Sequence, residues 1–221
     1  MRVVHERPLP LRLLHAAAAR SRFGEDLAVA YEKDPALRPG NALETLLYPG
    51  VWALAAYRLA HRVRRAGVPF LPRLVSQLAR ALTGIEIHPG AEIGRRCFID
   101  HGAGVVVGET AIIGTDVMLY HGVTLGGHGW WTDVRGAKRH PTIGDNVVLG
   151  ANCSVLGPVH VGANSKIGPH ALVIDDVPPD SVVVGTRGRC IVRAGVRQRS
   201  GGAEEWMSPD WMTSREEKEQ T

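Results

Sequence analysis
The sequence predicts an α+β chain in which a helical segment is followed by a parallel β-helix, and three observations carry that prediction. Between Ile85 and Gly185 an aliphatic residue returns at every sixth position. The series runs Ile87, Ile93, Ile99 and Val105, then Val107, Ile113, Leu119 and Leu125, and resumes at Ile143, Leu149, Val155, Val161, Ile167 and Val173. Glycine often follows directly, at Gly94, Gly108, Gly114, Gly126, Gly144, Gly150, Gly162 and Gly168. Residues 1–84 show instead the apolar spacing of helices. A helix repeats its buried face every 3.6 residues and a flat strand every 2, so a sustained period of six fits neither. It fits a chain that turns a corner every six residues and points one side chain per face into a narrow core. The Gly, Asn or Asp after each buried residue is expected to supply the positive φ of the corner.

The helical domain is predicted over residues 1–84. Leu11, Leu14, Ala18, Leu27 and Ala30 space two short helices across residues 9–33, with a break near Gly24. Asp34-Pro35 ends the second, because a residue before proline avoids the helical region. Asn41-x-x-Glu44 resembles a capping box ahead of a long helix from Leu46 to Val63. Gly67 and Pro69 stop that helix, and Leu71 to Leu82 form another before Thr83-Gly84 opens the repeats. Trp52, Tyr57 and the leucines are expected to pack helix on helix. Such a segment covers the open end of a solenoid, which otherwise exposes apolar and backbone groups. The repeats are predicted over 85–190 with an inserted loop at 128–141, and residues 191–221 form an acidic tail.

Composition narrows the function classes. The chain has 221 residues, 44% hydrophobic, and no run of about 18 apolar residues, so no membrane span is expected. Its first residues lack the apolar run and small-residue cleavage site of a signal peptide. Cys97, Cys153 and Cys190 are odd in number and far apart, which predicts free thiols in a reducing cytoplasm. The net charge is +4. Six acids against Arg215 and Lys218 make residues 200–221 about −4, so the remainder is about +8. The basic residues are scattered and not interleaved with aromatics, which argues against nucleic acid and for a polyanionic small molecule.

Candidate chemistry lies where the six-residue rule breaks. Asp100-His101 follows buried Ile99, and a two-residue slip then moves the register from Val105 to Val107. Glu86 lies one coil earlier, so a base and two carboxylates stand near one corner. A histidine held by a carboxylate keeps one tautomer and can take a proton from a hydroxyl. Spacing alone is equally compatible with a surface histidine among solvated acids. The other histidines (His5, His15, His61, His88, His160 and His170) read as surface or corner residues.

The runs Ile85-Glu-Ile-His-Pro-Gly-Ala-Glu-Ile-Gly94, Phe98-Ile-Asp-His101, Val106-Val-Gly-Glu-Thr110, Val123-Thr-Leu-Gly-Gly127, Lys138-Arg-His-Pro141 and Val177-Pro-Pro-Asp180 resemble serine O-acetyltransferase. The similarity extends upstream through Lys33-Asp-Pro-Ala36 and Tyr48-Pro-Gly-Val51. The resemblance implies a left-handed β-helix and a homotrimer with each site between two subunits, and leaves a dimer of trimers open as a larger assembly. It implies acetyl-CoA as co-substrate, L-serine as acceptor and no metal. His101 would be the general base and Glu86 its orienting carboxylate. Asp34 and Asp100 would bind the substrate ammonium, and Arg139 with His140 its carboxylate. The backbone N–H near Gly127 would face the oxyanion, and the pantetheine arm would run near Ala151 and Lys166.

The chain also departs from the family pattern. The loop after Gly127 is longer than usual, carries Trp130 and Trp131, and starts with His128 where the family has Thr or Ser. These tryptophans read equally as an altered acceptor pocket or as packing on a neighbouring subunit. The C-terminus lacks the Ile that enters the partner O-acetylserine sulfhydrylase, which argues against that complex. Three other classes compete, and intact His101 and Arg139-His140 argue against one of them, a non-catalytic trimeric scaffold. The second is an acyltransferase for another hydroxy amino acid or a sugar. The third is a β-helix metalloenzyme of the carbonic anhydrase type, for which His101 and His121 are candidates without an evident third ligand.

Overall fold
The computed structural model describes residues 21–38, 41–129 and 134–186, with the backbone of two short strands beyond them. The inserted-loop tryptophans, Cys190, residues 9–20 and residues 198–221, which hold the acidic groups of the tail, lie outside the described residues. The chain divides into two compact units, Met1–Thr186 and Arg187–Thr221. The second contains an antiparallel pair, Val192–Arg193 with Val196–Arg197.

In the first unit, helix α1 (Arg22–Lys33) begins at Ser21, whose hydroxyl accepts the Gly24 N–H at 3.0 Å. That cap, three residues before Gly24, sets the start of the helix near the expected break. Its end at Asp34, in extended conformation, is as the following proline requires. Asn41 does not cap a helix. Its side chain instead donates to Glu44 at 2.7 Å, and a 3-10 turn spans Ala42–Leu47. Helix α2 (Pro49–Arg65) starts on Pro49, whose fixed φ suits a first helical position. Helix α3 (Leu71–Thr83) ends on Gly84 at φ 72°.

The helices dock on the first coil through specific bonds. Tyr57 donates its hydroxyl to Ala91 O at 2.7 Å, and Ser76 does the same to Ile87 O at 2.7 Å. Tyr57 therefore packs into the coil core, not between helices as expected. Trp52 remains 51% exposed, tilted against Phe23 with ring centroids 5.6 Å apart. A separate apolar cluster of Leu27, Val29, Ala30, Val51 and Phe98 ties α1 to the solenoid.

The coils build three parallel sheets around one core. Sheet I contains β1 (Glu86–Ile87), β4 (Val106–Val107), β7 (Thr124–Gly126), β10 (Ser154–Leu156) and β13 (Leu172–Val173). Sheet II contains β2 (Glu92–Ile93), β5 (Ile112–Ile113), β8 (Thr142–Ile143) and β11 (His160–Val161). Sheet III contains β3 (Phe98–Ile99), β6 (Met118–Leu119), β9 (Val148–Leu149), β12 (Lys166–Ile167) and β14 (Val182–Val183). A regular coil is 18 residues, as Thr142 pairing with His160 illustrates. The two-residue slip makes the first coil 20, with Ile87 opposite Val107. The inserted loop stretches another to 30, with Ile113 opposite Ile143. Every period-six position is buried except Ile93, which is half-buried.

The glycine explanation changes. The positive-φ corner residues come three places after the buried one, as with Asp116, Asn146, Asn152 and Asn164 at φ 55–64°. The glycine immediately after the buried residue is needed for closeness. A Cβ on Gly144 would stand 2.7 Å from Ala163 N, so any side chain would push adjacent coils apart.

Candidate active site
The proposed residues gather on two edges of the three-sided solenoid. The first edge joins sheet III to sheet I. His101 sits there at φ 57°, its side chain 77% exposed, with Nε2 3.9 Å from Asp100 Oδ1. One coil on, the His121 ring stands edge-on to it at 6.3 Å. Asp34 reaches the same edge from the end of α1. It accepts a short hydrogen bond from the Tyr48 hydroxyl and another from Ala36 N at 2.7 Å. Burial, this bond and the charges of Asp34 and Asp100 hold the Tyr48 phenol above its ordinary value. Tyr48 therefore stands protonated beside both carboxylates proposed for the ammonium. Glu86 is held from α3 by Arg73 at 3.2 Å and Arg80 at 3.3 Å.

The second edge joins sheet I to sheet II. Arg139 Nη2 donates to Glu109 Oε2 at 2.7 Å, while Arg64 Nη2 from α2 takes the other oxygen at 3.1 Å. His140 is buried, with Nδ1 3.1 Å from Thr110 N and 2.9 Å from Thr110 Oγ1. Lys138 closes the end of the inserted loop by donating to Thr110 O at 2.6 Å. A fixed cation and a fixed imidazole together suit a carboxylate ligand.

Three kinds of similarity accompany this geometry. A family model described as bacterial transferase hexapeptide (six repeats) matches residues 140–175. A serine acetyltransferase of Helicobacter pylori is 53% identical over 163 residues, covering 73% of this chain and 92% of its own. One from Synechococcus elongatus is 52% identical over 173 residues, 78% of this chain and 68% of that one. The chain belongs to the serine acetyltransferase family. The Neisseria gonorrhoeae serine acetyltransferase in complex with serine superimposes with a TM-score of 0.68 at 37% identity, covering 80% of this chain and 72% of that chain.

The remaining candidates are spread over the same prism. Gly127 is exposed just after β7 on the second edge, Ala151 lies on the first edge, and Lys166 points outward from sheet III. Sequence reasoning missed Tyr48, Glu109 and Thr110 as contributors to the site. The polar Glu109-Thr110 pair after Gly108, at a corner beside the register slip, was the available signal. Among the described residues, no three His, Cys, Asp or Glu side chains converge as a metal-ligand set. No helix among them is long and apolar enough to cross a membrane. Cys97 and Cys153 are buried free thiols, each pushed up to about 12 by burial. A cleft of about 860 Å³ between α2 and sheet II is lined by Arg62, Arg64 and Arg65, but by none of Asp34, Asp100, His101, Arg139 or His140.

His88 faces the second edge, its Nδ1 accepting the Gly90 N–H at 3.0 Å. Burial lowers its pKa from 6.5 to about 4, against the pull of Glu109. The folded ring thus binds fewer protons than the unfolded one between those values. The stability this contributes is complete above about pH 6.5 and is lost as the pH falls toward 4. His88→Asn, whose amide oxygen can accept the same N–H, is expected to flatten the fall in thermal midpoint across that window. An unchanged fall would assign the acid sensitivity to other groups.

Proposed function
We propose that this chain transfers the acetyl group of acetyl-CoA to the hydroxyl of L-serine, giving O-acetylserine for cysteine synthesis and releasing CoA. The observation that carries the reading is the pairing of a carboxylate-flanked, outward-facing His101 with a rigid Arg139-His140 anion site. A zwitterionic hydroxy amino acid needs an acidic contact, a basic contact and a base at its hydroxyl.

In this mechanism Asp34 and Asp100 take the serine ammonium, and Arg139 and His140 its carboxylate. The His101 imidazole removes the hydroxyl proton as the oxygen attacks the thioester carbonyl. Glu86, steadied by its two arginines, orients and charge-stabilises that imidazole. The negative oxygen of the tetrahedral intermediate turns toward the backbone N–H near Gly127, a contribution of roughly 3–4 kcal/mol in well-studied cases. Collapse expels the CoA thiolate, which takes the proton back from His101. The pantetheine arm lies near Ala151 and Lys166, and no metal takes part.

The solenoid is read as left-handed and the protein as a cytoplasmic homotrimer. In that assembly the first edge of one subunit meets the second edge of its neighbour, so that His101 and Arg139 enclose one substrate. Acetyl-CoA consumption with L-serine, L-homoserine, L-threonine, D-serine and simple sugars tests the reading. Clear preference for L-serine is expected. Turnover only with another acceptor would keep the mechanism and overturn the substrate. No turnover with any acceptor would overturn the reaction.

A further inference from the structure
We propose that Gly108, Glu109 and Thr110 form a positioning template for the anion-binding pair, in which Thr110 fixes the tautomer of His140 and Glu109 fixes the fork of Arg139. The inference rests on the serine reading of that pair and assigns the groups that make it rigid.

The tautomer follows from hydrogen-bond bookkeeping at one atom. A backbone N–H can only donate, and Thr110 N lies 3.1 Å from His140 Nδ1. Nδ1 is therefore an acceptor, and the ring proton is on Nε2. Thr110 Oγ1 accepts the N–H of Arg139 at 3.0 Å and of His140 at 3.1 Å, which fills its two lone pairs. Its own proton is then directed at Nδ1, 2.9 Å away, where it shares one lone pair with the backbone N–H. The hydroxyl thus fixes the backbone of both residues, and the Thr110 N–H fixes the tautomer of one.

Glu109 completes the arrangement. Its two carboxylate oxygens are divided between Arg139 at 2.7 Å and Arg64 at 3.1 Å, so the Arg139 fork is braced from the helical segment. Gly108 supplies the space. A Cβ there would stand 2.7 Å from His140 Cγ, so any side chain would lift the imidazole off the coil. The three residues are consecutive, yet they act on a pair 30 residues later, across the inserted loop. The template therefore makes the loop's exit independent of the loop's length.

The test compares L-serine with L-serinamide, which keeps the ammonium and hydroxyl but lacks the carboxylate. Thr110→Val keeps the shape and removes the hydroxyl. It is expected to lower kcat/KM for L-serine by about 10- to 100-fold, the scale of leaving the Arg139 and His140 N–H donors without an acceptor. Turnover of serinamide and the KM for acetyl-CoA are expected to stay within about twofold. Thr110→Ser, which restores the hydroxyl, should recover L-serine turnover. Long-range proton–nitrogen spectra of histidine-labelled protein, with His140 assigned by His140→Gln, should show the Nε2-protonated tautomer in the parent and in Thr110→Val alike, because valine keeps the backbone N–H. This readout does not depend on turnover, so a failure of the serine reading would leave it intact. Equal losses with serine and serinamide would mean a general structural role and overturn the proposal. So would a parent ring that carries its proton on Nδ1. Should Thr110→Val fail to fold, Glu109→Gln gives the same discrimination: a serine-selective loss supports the template, and an unselective one overturns it.

Discussion

Replacing His101 by alanine is expected to cut kcat by about 10²–10⁴ while leaving CoA binding unchanged, the range for losing a positioned general base. The side chain is 77% exposed in this chain and contributes nothing to the core, so its loss should not disturb the coil. The backbone is at φ 57°, where alanine is less comfortable than histidine. His101→Asn, which tolerates that conformation better, is the control for strain. Both variants should bind CoA by calorimetry as the parent does. Retention of a large share of turnover in both would remove His101 from the mechanism.

Asp26→Ala is expected to destabilise the fold by about 3–5 kcal/mol, the usual result of stranding one member of a buried ion pair. Asp26 on α1 is 1% exposed and receives two hydrogen bonds from Arg58 of α2, at 2.9 and 2.7 Å. Burial raises the Asp26 carboxyl above its usual range, while the Asp26 bond raises the Arg58 guanidinium. The bidentate geometry makes us read the pair as ionised, with burial disfavouring each charge alone. Removing Asp26 leaves Arg58 uncompensated beside the apolar core. Urea unfolding should show the loss, and the double change Asp26→Leu with Arg58→Met should recover much of it. A loss below about 1 kcal/mol would mean that water reaches Arg58, as it does at exposed pairs. Because α1 ends at Asp34, the same variant should weaken whatever Asp34 binds.

The solenoid was legible because its signal is a long count that no other regular structure produces. From Ile87 to Val173 the count also located both irregular coils, the slip after Asp100-His101 and the loop before Arg139-His140. What it obscured was the reason for individual residues. Glycine after a buried position reads as a turn residue, whereas Gly144 is required by the approach of the next coil, and the left-handed positions lie two places further on. Gly24 reads as the break itself, whereas the helix starts three residues earlier, at the Ser21 cap that takes the Gly24 N–H. The Asn41–Glu44 pair matched a capping pattern and made a side-chain bond instead, because Pro49 offered a better start to α2.

The site residues proposed from resemblance fall on two edges that one chain keeps apart, which no linear spacing reveals. Tyr48, Glu109 and Thr110 stayed hidden for a different reason. Their partners are distant in sequence, Asp34 by 14 residues and Arg139 and His140 by 29 to 30. A period-six reading treats outward-facing residues as solvated filler. Their roles appear only when hydrogen-bond donors and acceptors are matched.

The unequal coil lengths separate two kinds of sequence change. Adding or deleting one residue within a strand would turn its aliphatic side chain to the wrong face. The excursion that stretches one coil to 30 residues carries no such constraint, because Ile143 returns opposite Ile113 whatever happens between. That segment is in effect an interchangeable cassette with a fixed socket. Whole loops can be exchanged there at little expense to the scaffold that holds the chemistry.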